Sequence, residues 1–335
     1  MTINSPLEVL LQNDSRQTAQ PKRFDVVGIG VSTVDLIMLV DELPGAELVQ
    51  WAHAALLQGG GPVATAVVAV ARLGGRSAMI DKLGDDWRGK LILEEFEREG
   101  VATDYIARAQ GGSSSVASVL VRKGDAARTI IYSPGDAGEL SAAELPEEAI
   151  ACSRMLHLNG RHLEASLAAA RAAKLHGVPV SFDGGAHRYS DQLRELIGLT
   201  DLCIVARQFA AAFSGEEELA ASASGLLSCG PRIVVVTAGA EGSWIFEREG
   251  RRFHQPAFRL ERVVDTTGAG DAYHGAFLFG ITNGYSLEKC ARFASAVAAM
   301  NTLQLGGRSA LPSCSEALCF VEERDCTREG SPTVF

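Results

Sequence analysis

Residues 263–280 read VVDTTGAGDAYHGAFLFG, and the chemistry is concentrated in Asp265-Thr266-Thr267-Gly268-Ala269-Gly270-Asp271. Two glycines around one alanine let the backbone turn tightly. A helix is expected to follow, with Ala272, Ala276, Phe277 and Leu278 in its first turns. Several N–H groups then point outward at a helix N-terminus, where the dipole also favours an anion. A phosphoryl group in transfer would be stabilised there. An aspartate directly after such glycines repels phosphate, but it suits a general base that takes a proton from an attacking hydroxyl. A bare G-x-G-D string is better read as a tight turn with an acidic cap; the length of the full string changes that judgement.

These residues need a scaffold. Apolar runs that look like buried strands recur at Phe24–Ile29, Ser77–Ile80, Arg154–Leu158, Val178–Phe182, Leu202–Val205 and Arg232–Thr237. Between them lie alanine- and leucine-rich stretches with helical spacing at Pro62–Leu73, Gly89–Glu99, Leu163–His176 and Leu219–Ser228. Buried strands alternating with amphipathic helices predict an α/β fold with a mostly parallel sheet covered on both faces. Two regions, within about 35–57 and 112–133, break the rhythm with short alternating patterns. SVASVLVRKGDAARTIIYS reads as a β-hairpin turning at Lys123–Gly124–Asp125, so a small β lid is expected. The spans are a polar, loose leader over 1–22, one domain over 23–322 and a loose tail over 323–335.

The formal charge of −10 argues against a nucleic-acid or anionic-membrane binder. The absence of a run of 18 apolar residues and of a signal-peptide pattern points to a cytoplasmic protein without a membrane partner. Seven scattered cysteines, none in a C-x-x-C pair, fit a reducing compartment and argue against a zinc site. Trp51, Trp87 and Trp244 read as packing residues rather than base-stacking platforms.

DTTGAGD followed by a small-residue helix resembles the C-terminal signature of the ribokinase-like (PfkB) carbohydrate kinases, and the resemblance runs from about Phe24 to Phe320. It implies a ribokinase-like three-layer sandwich with a small β lid. It implies ATP-dependent phosphorylation of a sugar hydroxyl, with Gly268, Ala269 and Gly270 as the anion hole and Asp271 as the catalytic base. VVGIGVSTVDLIMLVDELP is similar to the family's first strand and substrate loop, which gives Asp35 the role of binding sugar hydroxyls, a task a carboxylate performs well. QGGGPVATAVVAVARLGG resembles the N-terminal signature, with Gly59 and Gly60 against the substrate; Ala64 stands where the family usually has asparagine. VVVTAGAEGSWIF resembles the nucleotide-side strand and loop, placing Thr237, Gly239 and Gly242 near ATP. Ala206 and Phe209 stand where many members carry the asparagine and glutamate that order water around magnesium. Magnesium is still expected with ATP. LQLGGRSALP resembles the last loop, where Gly306 and Ser309, with Asp265 and Thr267, would shape a monovalent-cation site, for potassium. The lid strands of such kinases often join two subunits, which implies a homodimer.

GGGPVATA, RRFHQPAF and LGGRSALP look most like the branch containing 6-deoxy-6-sulfofructose kinases. Arg161 in HLNGRH matches that branch's sulfonate-binding arginine, but Val49 and Ile131 stand where its lysine and asparagine are expected. Arg161 is therefore a candidate substrate residue whose anion is left open: a phosphate, a carboxylate or a neighbouring acid. Three other readings compete with this one. Gly28-x-Gly30 hints at a dinucleotide turn, but Thr33 interrupts G-x-G-x-x-G. A nucleoside kinase of the same fold is disfavoured by the few aromatic residues in the lid. A non-catalytic sugar- or nucleotide-binding regulatory protein is disfavoured by the intact Gly268–Asp271 string.

Overall fold

The computed structural model describes residues 21–47 and 49–325, with Glu8, Leu10, Thr333 and Val334. Most of the expected leader therefore lies outside the described residues. A ten-stranded sheet forms the centre. Its parallel part runs, in spatial order, β5 (Ile106–Ala109), β4 (Ser77–Gly84), β1 (Val26–Ile29), β8 (Leu156–Leu158), β9 (Val180–Gly184), β10 (Leu202–Ala206) and β11 (Ile233–Thr237). Beyond β11 the edge is antiparallel, through β12 (Ser243–Glu247), β13 (Arg252–Gln255) and β14 (Thr333–Val334). The chain works outward from β1 to β4 and β5, then returns to β1's other side at β8. The crevice at the carboxyl ends of β1 and β8 is thus the topological switch point, where ligands of open α/β sheets bind.

The helices bury against this sheet for reasons visible in their sequences. The Pro62–Arg72 helix begins with proline after Gly61, whose φ of +95° is left-handed, and it buries every residue from Val63 to Val70. It packs between the sheet and the Ala269–Thr282 helix, which is itself buried from Ala272 onward. Glycine permits that approach: a Cβ on Gly275 would fall 2.4 Å from the Ala66 carbonyl oxygen. Gly28 and Gly30 serve the same end, since a Cβ on either would strike Val63 at 2.7 and 2.9 Å. Those two glycines are explained by helix packing, not by a dinucleotide. Among the described residues no helix is long and apolar enough to cross a membrane.

The lid is a four-stranded sheet of order β3 (Ala54–Gly60), β2 (Thr33–Val40), β6 (Ser115–Arg122), β7 (Arg128–Ser133). β2 and β3 are antiparallel, β2 and β6 parallel, and β6 and β7 antiparallel. One face buries Ile37, Ala117, Val119 and Val121 against Leu56 and Leu305, so the lid rests on the last loop of the domain. The hairpin between β6 and β7 turns through Lys123–Ala127, around the expected residues. Two expectations are corrected. The loose tail from 323 begins inside the Cys314–Asp325 helix, which Phe320 holds by an edge-on contact with Phe258 at 5.4 Å. Thr333 and Val334 pair with His254 and Phe253. Trp51 and Trp87 are not packing residues: they are 92% and 58% exposed. Trp244 does pack, stacked on His254 at 4.2 Å between centroids.

Candidate active site

Gly268 caps the Ala269–Thr282 helix with φ +72°, a left-handed conformation that L side chains adopt only at a cost. A Cβ here would also lie 2.5 Å from the Gly307 carbonyl oxygen, so both conformation and space demand glycine. Gly270 differs: an added Cβ would meet nothing within 4 Å, so open space lies over its backbone. The helix opening thus sets the backbone of Gly268, Ala269 and Gly270 beside Asp271 in the first turn, with the Ala269 amide donating to the Thr266 carbonyl oxygen at 3.3 Å.

Asp271 sits in a crowded polar pocket. Burial pushes its carboxyl above the usual aspartate range, and the charge of Asp183 at the end of β9 pushes the same way. Arg188, His274 and Arg128 oppose the shift without cancelling it. Arg128 comes from the lid, where its Nη1 donates to Thr266 Oγ1 at 2.6 Å. Asp183, Asp271 and His274 offer oxygen and nitrogen atoms within 4.8 Å of one another. They do not form a metal site as arranged. His274 Nδ1 faces the Gly270 carbonyl oxygen at 2.7 Å and Nε2 faces that of Ile204 at 3.1 Å; a carbonyl oxygen only accepts, so the ring is turned as a donor to the backbone rather than toward an ion. His274 instead ties the helix opening to β10. Neither His274 nor Asp183 was singled out by sequence reasoning; DxxH at one helical turn was the available signal.

Gly307 backs Gly268, and the loop containing it is held on both sides. Asp265 Oδ1 accepts from the Thr267 amide at 2.8 Å and Oδ2 from the Gly306 amide at 2.9 Å. Asn301 Nδ2 donates to the Gly307 carbonyl at 2.9 Å. These bonds bring Asp265, Thr267 and Gly306 together, and Ser309 lies beside Gly306. Two buried oxygens in this cluster, Thr267 Oγ1 and Asn301 Oδ1, lack any hydrogen-bond partner. Orphaned buried oxygens are what a bound monovalent cation would satisfy, so the donor set fits one. Asn301 was missed in the sequence because nothing in a helix end distinguishes it. Ser309 Oγ is committed to the Leu305 carbonyl at 2.7 Å.

On the lid side, Thr33 Oγ1 donates to Asp35 Oδ1 at 2.6 Å. Burial raises the Asp35 carboxyl from its ordinary value; the bond from Thr33 and the charge of Arg308 pull it down, whereas Asp271 and Glu95 push it up. Asp35, Gly59 and Gly60 meet where β2 pairs with β3. Arg161 follows β8 and reaches the lid at β7, donating from Nη2 to the Tyr132 hydroxyl at 3.0 Å. It lines a cavity of about 120 Å³ with Ser32, Lys82, Ser115, Tyr132 and His162. Buried Ser32 Oγ has no partner. His162, left-handed at φ 51°, bonds Asp81 at 2.9 Å and the Leu140 amide at 3.0 Å.

Thr237, Gly239 and Gly242, expected near a nucleotide, lie at the end of β11 and in the loop that leads to β12. Thr237 pairs with Ala206 across these strands, Gly239 is left-handed and open, and a Cβ on Gly242 would strike the Gln255 carbonyl oxygen at 2.1 Å. Arg207 joins the loop by a bidentate pair to Glu241, at 2.9 and 2.7 Å. Ser243 Oγ and the Tyr273 hydroxyl, 2.8 Å apart, tie β12 to the helix that carries Asp271. Phe209 is wholly buried beside Phe182 and Tyr189, so it offers the cleft no polar atom.

A mostly parallel sheet with a β lid, and a glycine-capped helix opening beside a carboxylate, is compatible with a phosphotransferase. The chain belongs to the pfkB family of carbohydrate kinases, whose match spans residues 23–314. An uncharacterized sugar kinase of Archaeoglobus fulgidus is 32% identical over 250 residues, 72% of this chain and 98% of its own. A 5-dehydro-2-deoxygluconokinase of Shouchella clausii is 27% identical over 329 residues, 92% of this chain and 98% of its own. The solved ribokinase of Arabidopsis thaliana, complexed with ribose and ATP, superposes with a TM-score of 0.77 at 25% identity, covering 89% of this chain and 99% of that one. The chain is accordingly a kinase of the sugar or nucleoside type, with the ribokinase-like fold.

Proposed function

We propose that the chain transfers the γ-phosphoryl group of ATP to a hydroxyl of a sugar or sugar derivative, with Asp271 as general base. The observation that carries this is the carboxylate of Asp271 in the first turn behind left-handed Gly268, close to Asp183 and His274 and beside the open space over Gly270. A base with an upward-shifted pKa takes up a hydroxyl proton more readily at neutral pH. The amides of Gly268–Gly270 stabilise the phosphoryl charge as it moves. Asp35 and the Gly59–Gly60 backbone hold the acceptor, and Thr237, Gly239 and Gly242 border the nucleotide. A ribokinase that binds ribose and ATP together supports a cleft with room for both an acceptor and a nucleotide.

Magnesium arrives with ATP and neutralises phosphate charge. The residues at 206 and 209 supply no carboxylate, and the unpartnered, buried Asp183 Oδ2 is the oxygen suited to its water shell. Potassium would be held by Thr267 Oγ1 and Asn301 Oδ1. Arg161, which has no carboxylate partner among the described residues, suits an acceptor with an anionic group. The name of the Shouchella clausii relative, a kinase of a sugar acid, supports that choice. A second copy of the chain would cover the exposed lid.

The test is ADP release from Mg-ATP across neutral sugars, sugar acids, sugar phosphates, sulfofructose and nucleosides. Asp271→Asn should lower turnover by about 10²-fold or more. Near-normal turnover in that variant sinks the base assignment.

A further inference from the structure

Among the described residues Arg308 is the largest fully buried side chain, 1% exposed, and its bonds run in one pattern. Nη1 pairs with Glu95 Oε1 at 3.0 Å, Nη2 donates to the Gly60 carbonyl at 3.0 Å and Nε donates to Thr65 Oγ1 at 3.1 Å. Glu95 Oε2 in turn accepts the Gly59 amide at 2.5 Å. The Arg308 amide donates to Gln58 Oε1 at 3.1 Å. The guanidinium and its carboxylate thus grip both acceptor-side glycines. Gly59 has no room for anything else: a Cβ would lie 2.6 Å from Arg308 Nη1.

The same residue belongs to the loop that backs the anion hole. Its neighbour Gly307 lies against Gly268, and Gly306 is bonded to Asp265. We propose that Arg308, with Glu95, is a positioning residue that pins the acceptor-side glycines to the anion-hole loop, so that a shift on one side is transmitted to the other. This rests on the reading of Gly59, Gly60 and Gly268–Asp271 as the two halves of one site.

The physical case is economy of charge. Burying an ion pair gains little stability over an apolar pair of the same volume. A planar fork that spends its donors on three separate segments fixes their relative geometry, which a point-charge lysine cannot do. In-line transfer needs the hydroxyl and the phosphoryl group in register, and a displacement of about 1 Å costs about 10²-fold in rate.

The test does not need the acceptor. Hydrogen exchange is followed in peptides covering 56–62 and 264–273, with and without a non-hydrolysable Mg-ATP analogue. In the wild type, the nucleotide analogue should slow exchange in both. In Arg308→Lys it should slow 264–273 alone. Should that variant fold poorly, Arg308→Met combined with Glu95→Gln removes both charges and is read the same way. If either folded variant still slows both peptides, Arg308 is structural only and the proposal fails. If wild-type 264–273 slows and 56–62 does not, the coupling is absent while the kinase reading stands. If wild-type 264–273 does not respond, the anion-hole reading falls and takes this proposal with it. With an active acceptor, kcat should fall in Arg308→Lys with KM little changed.

Discussion

Gly60 faces the Asp35 carboxylate so closely that a methyl group on Gly60 would fall 2.0 Å from Asp35 Oδ2. Glycine at this point leaves the Asp35 carboxylate its place. Gly60→Ala should displace Asp35, breaking its 2.6 Å bond from Thr33. The expected result is a raised KM for the acceptor with a smaller change in nucleotide affinity, measured by steady-state kinetics and calorimetry. Unchanged acceptor KM would separate Asp35 from acceptor binding.

The direction of the Asp271 shift fixes a pH dependence. The base works only when ionised, and burial and Asp183 both favour its protonated form. The acid limb of kcat/KM should lie above the usual aspartate value of about 3.9. Asp183→Asn removes a like charge, so the limb should move to lower pH. A limb that stays in place in that variant would contradict the coupling between the two carboxylates.

The same shift bears on stability. A carboxyl whose folded pKa is raised favours folding below its unfolded pKa, and that contribution is lost as pH rises through the folded value. Above that window the ionised Asp271 is a net burden on the fold. Asp271→Asn should melt higher than wild type at pH 8 and lose the difference as the pH is lowered. Equal melting temperatures throughout would mean the carboxylate is better solvated than its surroundings imply.

How far the sequence revealed this site follows from the range of each interaction. The strand–helix alternation, the Gly268–Asp271 string and the lid hairpin are local patterns, and each appears close to its expected place. β5 was not expected, because four residues of mixed polarity at a sheet edge carry no period. Ser77–Gly84 runs past the expected Ile80, since Asp81 is buried by bonds to Ser32 and His162 rather than by being apolar. Glu95 and Arg308 are 213 residues apart and each looks like a lone surface charge in sequence. Only folding shows that they meet.

Gly268 should be the least replaceable glycine of the signature. In Gly268→Ala the left-handed backbone costs about 1–2 kcal/mol, and the contact with Gly307 adds to it. Gly270→Ala meets no such contact, so it should fold normally and lose turnover instead, because its methyl would enter the space over the amides. Thermal melts and turnover of the two variants should therefore rank in opposite orders. Similar losses of stability in both would mean the two glycines share one structural role.

The lid carries a surface that water alone covers poorly. Every residue of β7 is exposed, including Ile130, Ile131 and Tyr132 at 51%, 66% and 41%. Leu36 and Leu57, from β2 and β3, are also exposed, at 37% and 46%. An unpaired apolar edge strand invites another strand or sheet. Sedimentation should show a dimer that Ile131→Lys dissociates, since the new charge would have to be desolvated at the interface. Arg128 on the same strand reaches Thr266 beside the anion hole, so dissociation should also lower turnover. A wild-type monomer at all concentrations would leave the lid's apolar face to the acceptor and not to a second subunit.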